Sequence, residues 1–98
     1  MSKTAIITGA GTGIGASIAI AYAEEGYNLV LAGRRIEPLE EIARQCGTAN
    51  IEICAADVGD RQGVQLLAEQ TVAAFGRIDI LVNNAGINTK KRHLIDIA

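Results

Sequence analysis

The stretch "TGAGTGIG", Thr8 to Gly15, sets four glycines within eight residues, directly behind the apolar run "AII". Glycine inside a helix costs about 1 kcal/mol relative to alanine. Such density where a strand hands over to a helix implies that something approaches the bare backbone. A helix amino terminus offers unpaired N–H groups and about half a unit of positive charge. A diphosphate suits such a corner, with Gly9, Gly13 and Gly15 leaving room for its oxygens. A tight turn with no ligand is the competing reading. A P-loop is a further rival, but it requires a lysine straight after its last glycine, and no glycine in this chain is followed by lysine. Phosphoryl transfer is therefore not expected.

The second apolar run closes with "LAGRR". Dinucleotide sites that take NAD place a carboxylate about 20 residues beyond the glycine turn, to accept from the ribose 2′-hydroxyl. Gly33 offers no carboxylate, and Arg34 and Arg35 follow it. A carboxylate repels a 2′-phosphate, whereas a guanidinium binds one through charge-assisted hydrogen bonds of about 1.5–3 kcal/mol each. The sign of the charge favours NADP(H), with NAD(H) the less favoured cofactor. Taken alone, the pair reads equally well as a solvated start to a loop.

These residues need a scaffold, and the chain supplies four apolar runs: Thr4–Ile7, Asn28–Ala32, Ile51–Ala55 and Ile78–Asn83. Each is short and apolar on both faces, as a strand covered on both sides must be. Three segments of helical period separate them. Residues 13–25 carry Ile14, Ile18 and Tyr22 on one stripe and the small Ala16, Ala19 and Ala23 on another. Residues 37–46 carry Leu39, Ile42, Ala43 and Cys46, with Pro38 in the first turn and Gly47 just past the end. Residues 60–75 place Val64, Leu67, Thr71, Ala74 and Phe75 on one face, between Asp60 and Gly76. The order β-α-β-α-β-α-β predicts an α/β, doubly wound parallel sheet of Rossmann type with helices on both faces, one domain over residues 1–98.

The remaining chemistry is sparse. Net charge is −2 and the basic residues are scattered, so no nucleic-acid footprint is expected. No apolar run approaches the ~20 residues that span a bilayer, and the start lacks a signal-peptide pattern. Cys46 and Cys54 form neither a CxxC motif nor a metal set, and read as small apolar residues in a reducing cytoplasm. His93 has no partner for a metal site and reads as a surface residue; "KKR" in the tail reads as a solvated loop.

With these residues in view, the chain resembles the short-chain dehydrogenase/reductase family. "TGAGTGIG" matches its TGxxxGxG, "ADV" (Ala56–Val58) its adenine segment, and "NNAG" (Asn83–Gly86) its sheet-steadying motif; "GRIDILVNNAG" is close to family wording throughout. The resemblance implies Thr12, Gly13, Ile14 and Gly15 around the phosphates and Arg34 on the 2′-phosphate. It implies Asp57 and Val58 at the adenine, and Asn84, Ala85 and Gly86 beside the ribose and nicotinamide. It further implies hydride transfer between nicotinamide and a small carbonyl or alcohol substrate, and a homo-oligomer for a full-length enzyme.

The family's catalytic serine and YxxxK pair find no match. Tyr22 and Tyr27 are followed four residues on by Gly26 and Leu31, and Ser17 lies inside the first helix. No catalytic residue is carried over. The fourth strand would stand as an open, association-prone edge, so the chain is expected to be the amino-terminal portion of a longer enzyme. A non-catalytic dinucleotide-binding module is the alternative. A sugar-nucleotide epimerase relative is disfavoured, because Thr12 stands where its TGxxGxxG pattern needs glycine.

Overall fold

The fold is described from a computed structural model, which covers residues 2–11, 13–47 and 50–84, and the backbone of 93–96. Five strands and three helices follow in the order β1 (Thr4–Thr8), α1 (Gly13–Glu24), β2 (Asn28–Gly33), α2 (Ile36–Gln45), β3 (Ile51–Ala55), α3 (Arg61–Phe75), β4 (Ile80–Asn83) and β5 (His93–Asp96). The sheet order is β3-β2-β1-β4-β5. The first four strands are parallel, with Ile6 opposite Val30 on one side and Leu81 on the other. The reversal of winding next to β1 puts the carboxyl ends of β1 and β4 beside a crevice, where doubly wound folds bind ligands.

Burial on both faces explains the continuous apolar runs. Ala5, Ile7, Leu29, Leu31 and Val82 face α1 and α2 together with Ala19, Leu39 and Ile42. Ile6, Val30, Ala32 and Cys54 face α3 through Leu67. The helix ends follow local chemistry. Asp60 caps α3 by accepting from the Gln62 amide at 3.2 Å, and Gly76 closes it in the left-handed region, φ +78°. Pro38 lies in the first turn of α2.

Three expectations need correction. Ile14 is 60% exposed; Gly15 and Ala19 are the buried residues of α1, because the helix comes too close to the sheet for a larger side chain, while Ile18 and Tyr22 pack at the margin. On α3, Leu67 and Thr71 are buried and Phe75 half-buried, but Val64 is 48% exposed and Ala74 is exposed. This helix meets the sheet along a narrow seam. Finally, β4 is not an open edge: β5 pairs with it antiparallel, Val82 opposite Leu94. The unpaired backbone groups of an edge strand are a template for a further strand, and the tail supplies one at His93–Asp96, while "KKR" lies outside the described residues.

At the amino edge, Asp79 clasps β1 to β4. Its amide donates to the Thr4 carbonyl at 2.9 Å, and its Oδ2 accepts from the Thr4 amide at 2.8 Å. Arg77 holds the same carboxylate in a fork of 2.7 and 2.8 Å. No helix among the described residues is long and apolar enough to cross a membrane.

Candidate functional site

The glycine corner is built by three elements meeting at the carboxyl edge of the sheet. After β1 the backbone turns at Gly9 with φ +63°, a conformation glycine adopts without a Cβ penalty. The Ala10 amide donates to the Ala32 carbonyl at 3.3 Å, tying the corner to the end of β2. α1 starts at Gly13, which is exposed, and Gly15 is buried in its first turn. A Cβ on Gly15 would overlap the Gly9 carbonyl oxygen and lie 2.8 Å from Asn84 Nδ2 and 2.9 Å from Ala10 Cα. Glycine at this position lets the helix amino terminus close on the turn.

Asn84, buried just past β4, locks this arrangement. Its Nδ2 donates to the Gly9 carbonyl at 3.0 Å, and its amide donates to Thr8 Oγ1 at 3.0 Å. The Thr8 hydroxyl in turn points its proton between Asn83 Oδ1, at 3.1 Å, and the Val82 carbonyl, at 3.3 Å. The corner is thus braced from strands on both sides of β1.

From the corner a groove of about 230 Å³ runs over the end of β2. It is lined by Gly9 and Gly11 from the corner, Gly33, Arg34 and Arg35 from the end of β2, and Pro38 and Leu39 from α2. Both arginines are exposed, and Arg35 is the N-cap residue of α2. Among the described residues that line the groove none is acidic. A Cβ on Gly33 would meet the Leu39 side chain at 3.4 Å, an ordinary contact. Space therefore permits a Cβ there.

At the next strand end the Ala56 amide donates to the Gly33 carbonyl at 2.9 Å, which seats the "ADV" segment beside the groove. Asp57 is exposed, and one of its carboxylate oxygens accepts from the Gly59 amide at 2.9 Å. This fixes the side chain in a local turn. Val58 is half-buried against the α3 core.

Gly9, Gly13, Gly15, Arg34, Arg35 and Asn84 thus come to one edge, with Asp57 and Val58 one strand further out. Ile14 stands exposed on the first turn of α1. Thr12, Ala85 and Gly86 lie outside the described residues. Sequence reasoning did not find Pro38 and Leu39 as groove residues. Their only signals were helix signals, a proline at a first turn and a leucine on an apolar stripe.

Fold and site together define a doubly wound α/β protein of Rossmann type with a side-chain-free corner at its first strand-to-helix turn. A family model described as short chain dehydrogenase matches residues 3–97, and the chain belongs to this family of oxidoreductases. It is 46% identical over 88 residues to 11-beta-hydroxysteroid dehydrogenase A of Sesamum indicum, covering 87% of this chain and 25% of that protein. The L-sorbose reductase of Gluconobacter frateurii, solved with NADPH and L-sorbose, superposes with a TM-score of 0.84 at 39% identity over 92% of this chain and 35% of that one. The apo glucose dehydrogenase of Caenorhabditis elegans gives 0.81 at 41% identity over 88% and 38%. The chain thus spans between a quarter and two fifths of the length of these relatives.

Proposed function

We propose that this chain is the cofactor-binding part of an NADP(H)-dependent oxidoreductase that interconverts a small carbonyl and alcohol. The observation that carries the reading is the groove itself. It begins at a corner where a Cβ on Gly15 would overlap backbone, and it ends at two exposed guanidinium groups with no carboxylate on its walls. These residues fit a dinucleotide. The corner and the amino terminus of α1 receive the paired phosphates through bare N–H groups. Arg34 and Arg35 bind the 2′-phosphate, and Gly33 leaves it unopposed.

Thr12, Gly13 and Ile14 complete the phosphate turn in this assignment. Asp57 and Val58 border the adenine, and Asn84, Ala85 and Gly86 border the ribose and nicotinamide. Asn84 has a second task, since its hydrogen bond to Gly9 fixes the turn before any ligand arrives. When bound, the cofactor supplies the hydride. The residues here bind it, orient it and keep the phosphate end fixed to the rigid sheet. The relatives in structure include NADP complexes, among them the L-sorbose reductase with NADPH and a metagenomic short-chain oxidoreductase with NADP. A cytoplasmic location and a homo-oligomeric whole enzyme belong to the same proposal; the first rests on Cys46 and Cys54 being free thiols, the second on family resemblance.

Calorimetric titration with NADPH and NADH tests the reading. Saturable binding of both, tighter for NADPH, is expected. Uptake of neither coenzyme by the folded protein refutes dinucleotide binding, and equal affinity refutes the choice of NADP.

A further inference from the structure

One close approach in the groove, between Gly11 and Pro38, is explained neither by the phosphate corner nor by the arginine pair. A Cβ on Gly11 would lie 2.8 Å from Pro38 Cβ and 3.6 Å from Pro38 Cγ. Non-bonded carbons settle at about 3.5–4.0 Å, so any side chain at residue 11 forces something to move. The proline cannot rotate its ring out of the way, because the ring is closed onto its own backbone. The motion must therefore be taken up by backbone, in the turn or in α2.

The rest of α2 is anchored. Leu39 and Ile42 are buried against the sheet, and Leu39 also packs against Gly33. The corner is anchored too, through Ala10 to Ala32 and Gly9 to Asn84. The least held part is the start of α2 ahead of Leu39, where Ile36 and Glu37 are exposed and the N-cap residue Arg35 makes no side-chain cap bond.

We infer that Gly11 and Pro38 are positioning residues for cofactor selectivity: their contact sets the distance from the phosphate corner to Arg34 and Arg35, and so decides whether a 2′-phosphate is gripped. This inference rests on the NADP reading above. Charge-assisted N–H···O bonds hold at about 2.7–2.9 Å, so a displaced arginine wall loses them while the shared diphosphate contacts on α1 are kept.

The experiment compares the protein, Gly11→Ala, and Gly11→Ala combined with Pro38→Gly. The double variant moves the Cβ from one side of the contact to the other. Affinities are measured by calorimetry for NADPH, NADH, adenosine 2′,5′-bisphosphate and AMP. Loss of one charge-assisted bond predicts that Gly11→Ala lowers the preference for the 2′-phosphorylated ligands about tenfold or more. The same relation allows NADH affinity to change by no more than about threefold, with the double variant returning to within about threefold of the original preference. An unchanged preference, an equal loss for both coenzymes, or a double variant that does not recover overturns the inference. Should Gly11→Ala bind neither coenzyme, the double variant must still bind both with the original preference, and its failure to do so also overturns it. These outcomes differ from a parent protein lacking any preference, which refutes the NADP assignment itself.

Discussion

Asn84 Nδ2 donates to the Gly9 carbonyl at 3.0 Å across 75 residues of sequence, and through that bond β4 holds the turn that follows β1. Asn84 is buried and Gly9 half-buried, so the bond is partly withdrawn from water. Removing a hydrogen bond of this kind costs about 0.5–1.5 kcal/mol. Asn84→Leu is therefore expected to destabilise the fold by about that amount, and Asn84→Asp by more, since it sets oxygen against oxygen. Urea unfolding followed by circular dichroism measures both. A midpoint unchanged in Asn84→Leu contradicts the bracing role.

Gly15 sets two effects against each other. Alanine in place of a helical glycine gains about 1 kcal/mol of propensity. Its Cβ, however, overlaps the Gly9 carbonyl and approaches Ala10 Cα to 2.9 Å. Both obstacles include backbone, so the steric term wins. Gly15→Ala is expected to be destabilised and to lose at least about tenfold in affinity for both coenzymes alike, as calorimetry reads directly.

In the proposed assignment Arg34 differs from Gly15, because its charge would meet only one end of the cofactor. Under that assignment Arg34→Glu sets a carboxylate against the 2′-phosphate. NADPH is expected to weaken about a hundredfold, the equivalent of losing and then opposing a charge-assisted bond. NADH is expected to change little. Parallel titrations check this, and equal losses for the two coenzymes undo the assignment of Arg34.

The Asp79 clasp makes stability depend on acid. The fork from Arg77, followed by the Thr4 amide, holds the Asp79 carboxyl below its ordinary range. A carboxyl more acidic in the folded chain than in the unfolded one stabilises above its unfolded value and loses that contribution as pH falls through the folded value. Stability should thus fall below about pH 4, and the fall should be shallower in Asp79→Asn. Thermal melts from pH 7 down to pH 2 test the difference.

The two thiols should separate in reactivity. Burial pushes both Cys46 and Cys54 up from the ordinary thiol value, which depletes the reactive thiolate at neutral pH. Cys54 is 1% exposed, whereas Cys46 is only half-buried. A disulfide reagent is expected to label Cys46 slowly in the native protein and Cys54 only on unfolding. Rapid native labelling of Cys54 contradicts its place in the core.

The sequence by itself determined the alternation of strands and helices, because a strand buried on both faces must be apolar throughout and a helix must repeat at 3.6 residues. It also located the glycine corner behind β1, where the structure packs Gly15 against the Gly9 and Ala10 backbone. Charge at Arg34 and Arg35 was legible too.

Tertiary structure decided what depends on distance between segments. Ile14 belongs to an apolar stripe yet is exposed, because close packing at Gly15 and Ala19 tilts the buried face of α1 toward its small residues. Pro38 looked like a helix start and proved to be a groove residue against Gly11. Thr8, Asn83 and Asn84 bond to one another only because β1 and β4 lie side by side. Local pattern records what each segment needs buried. Which segments meet, and how closely, is set by the packing of all of them at once.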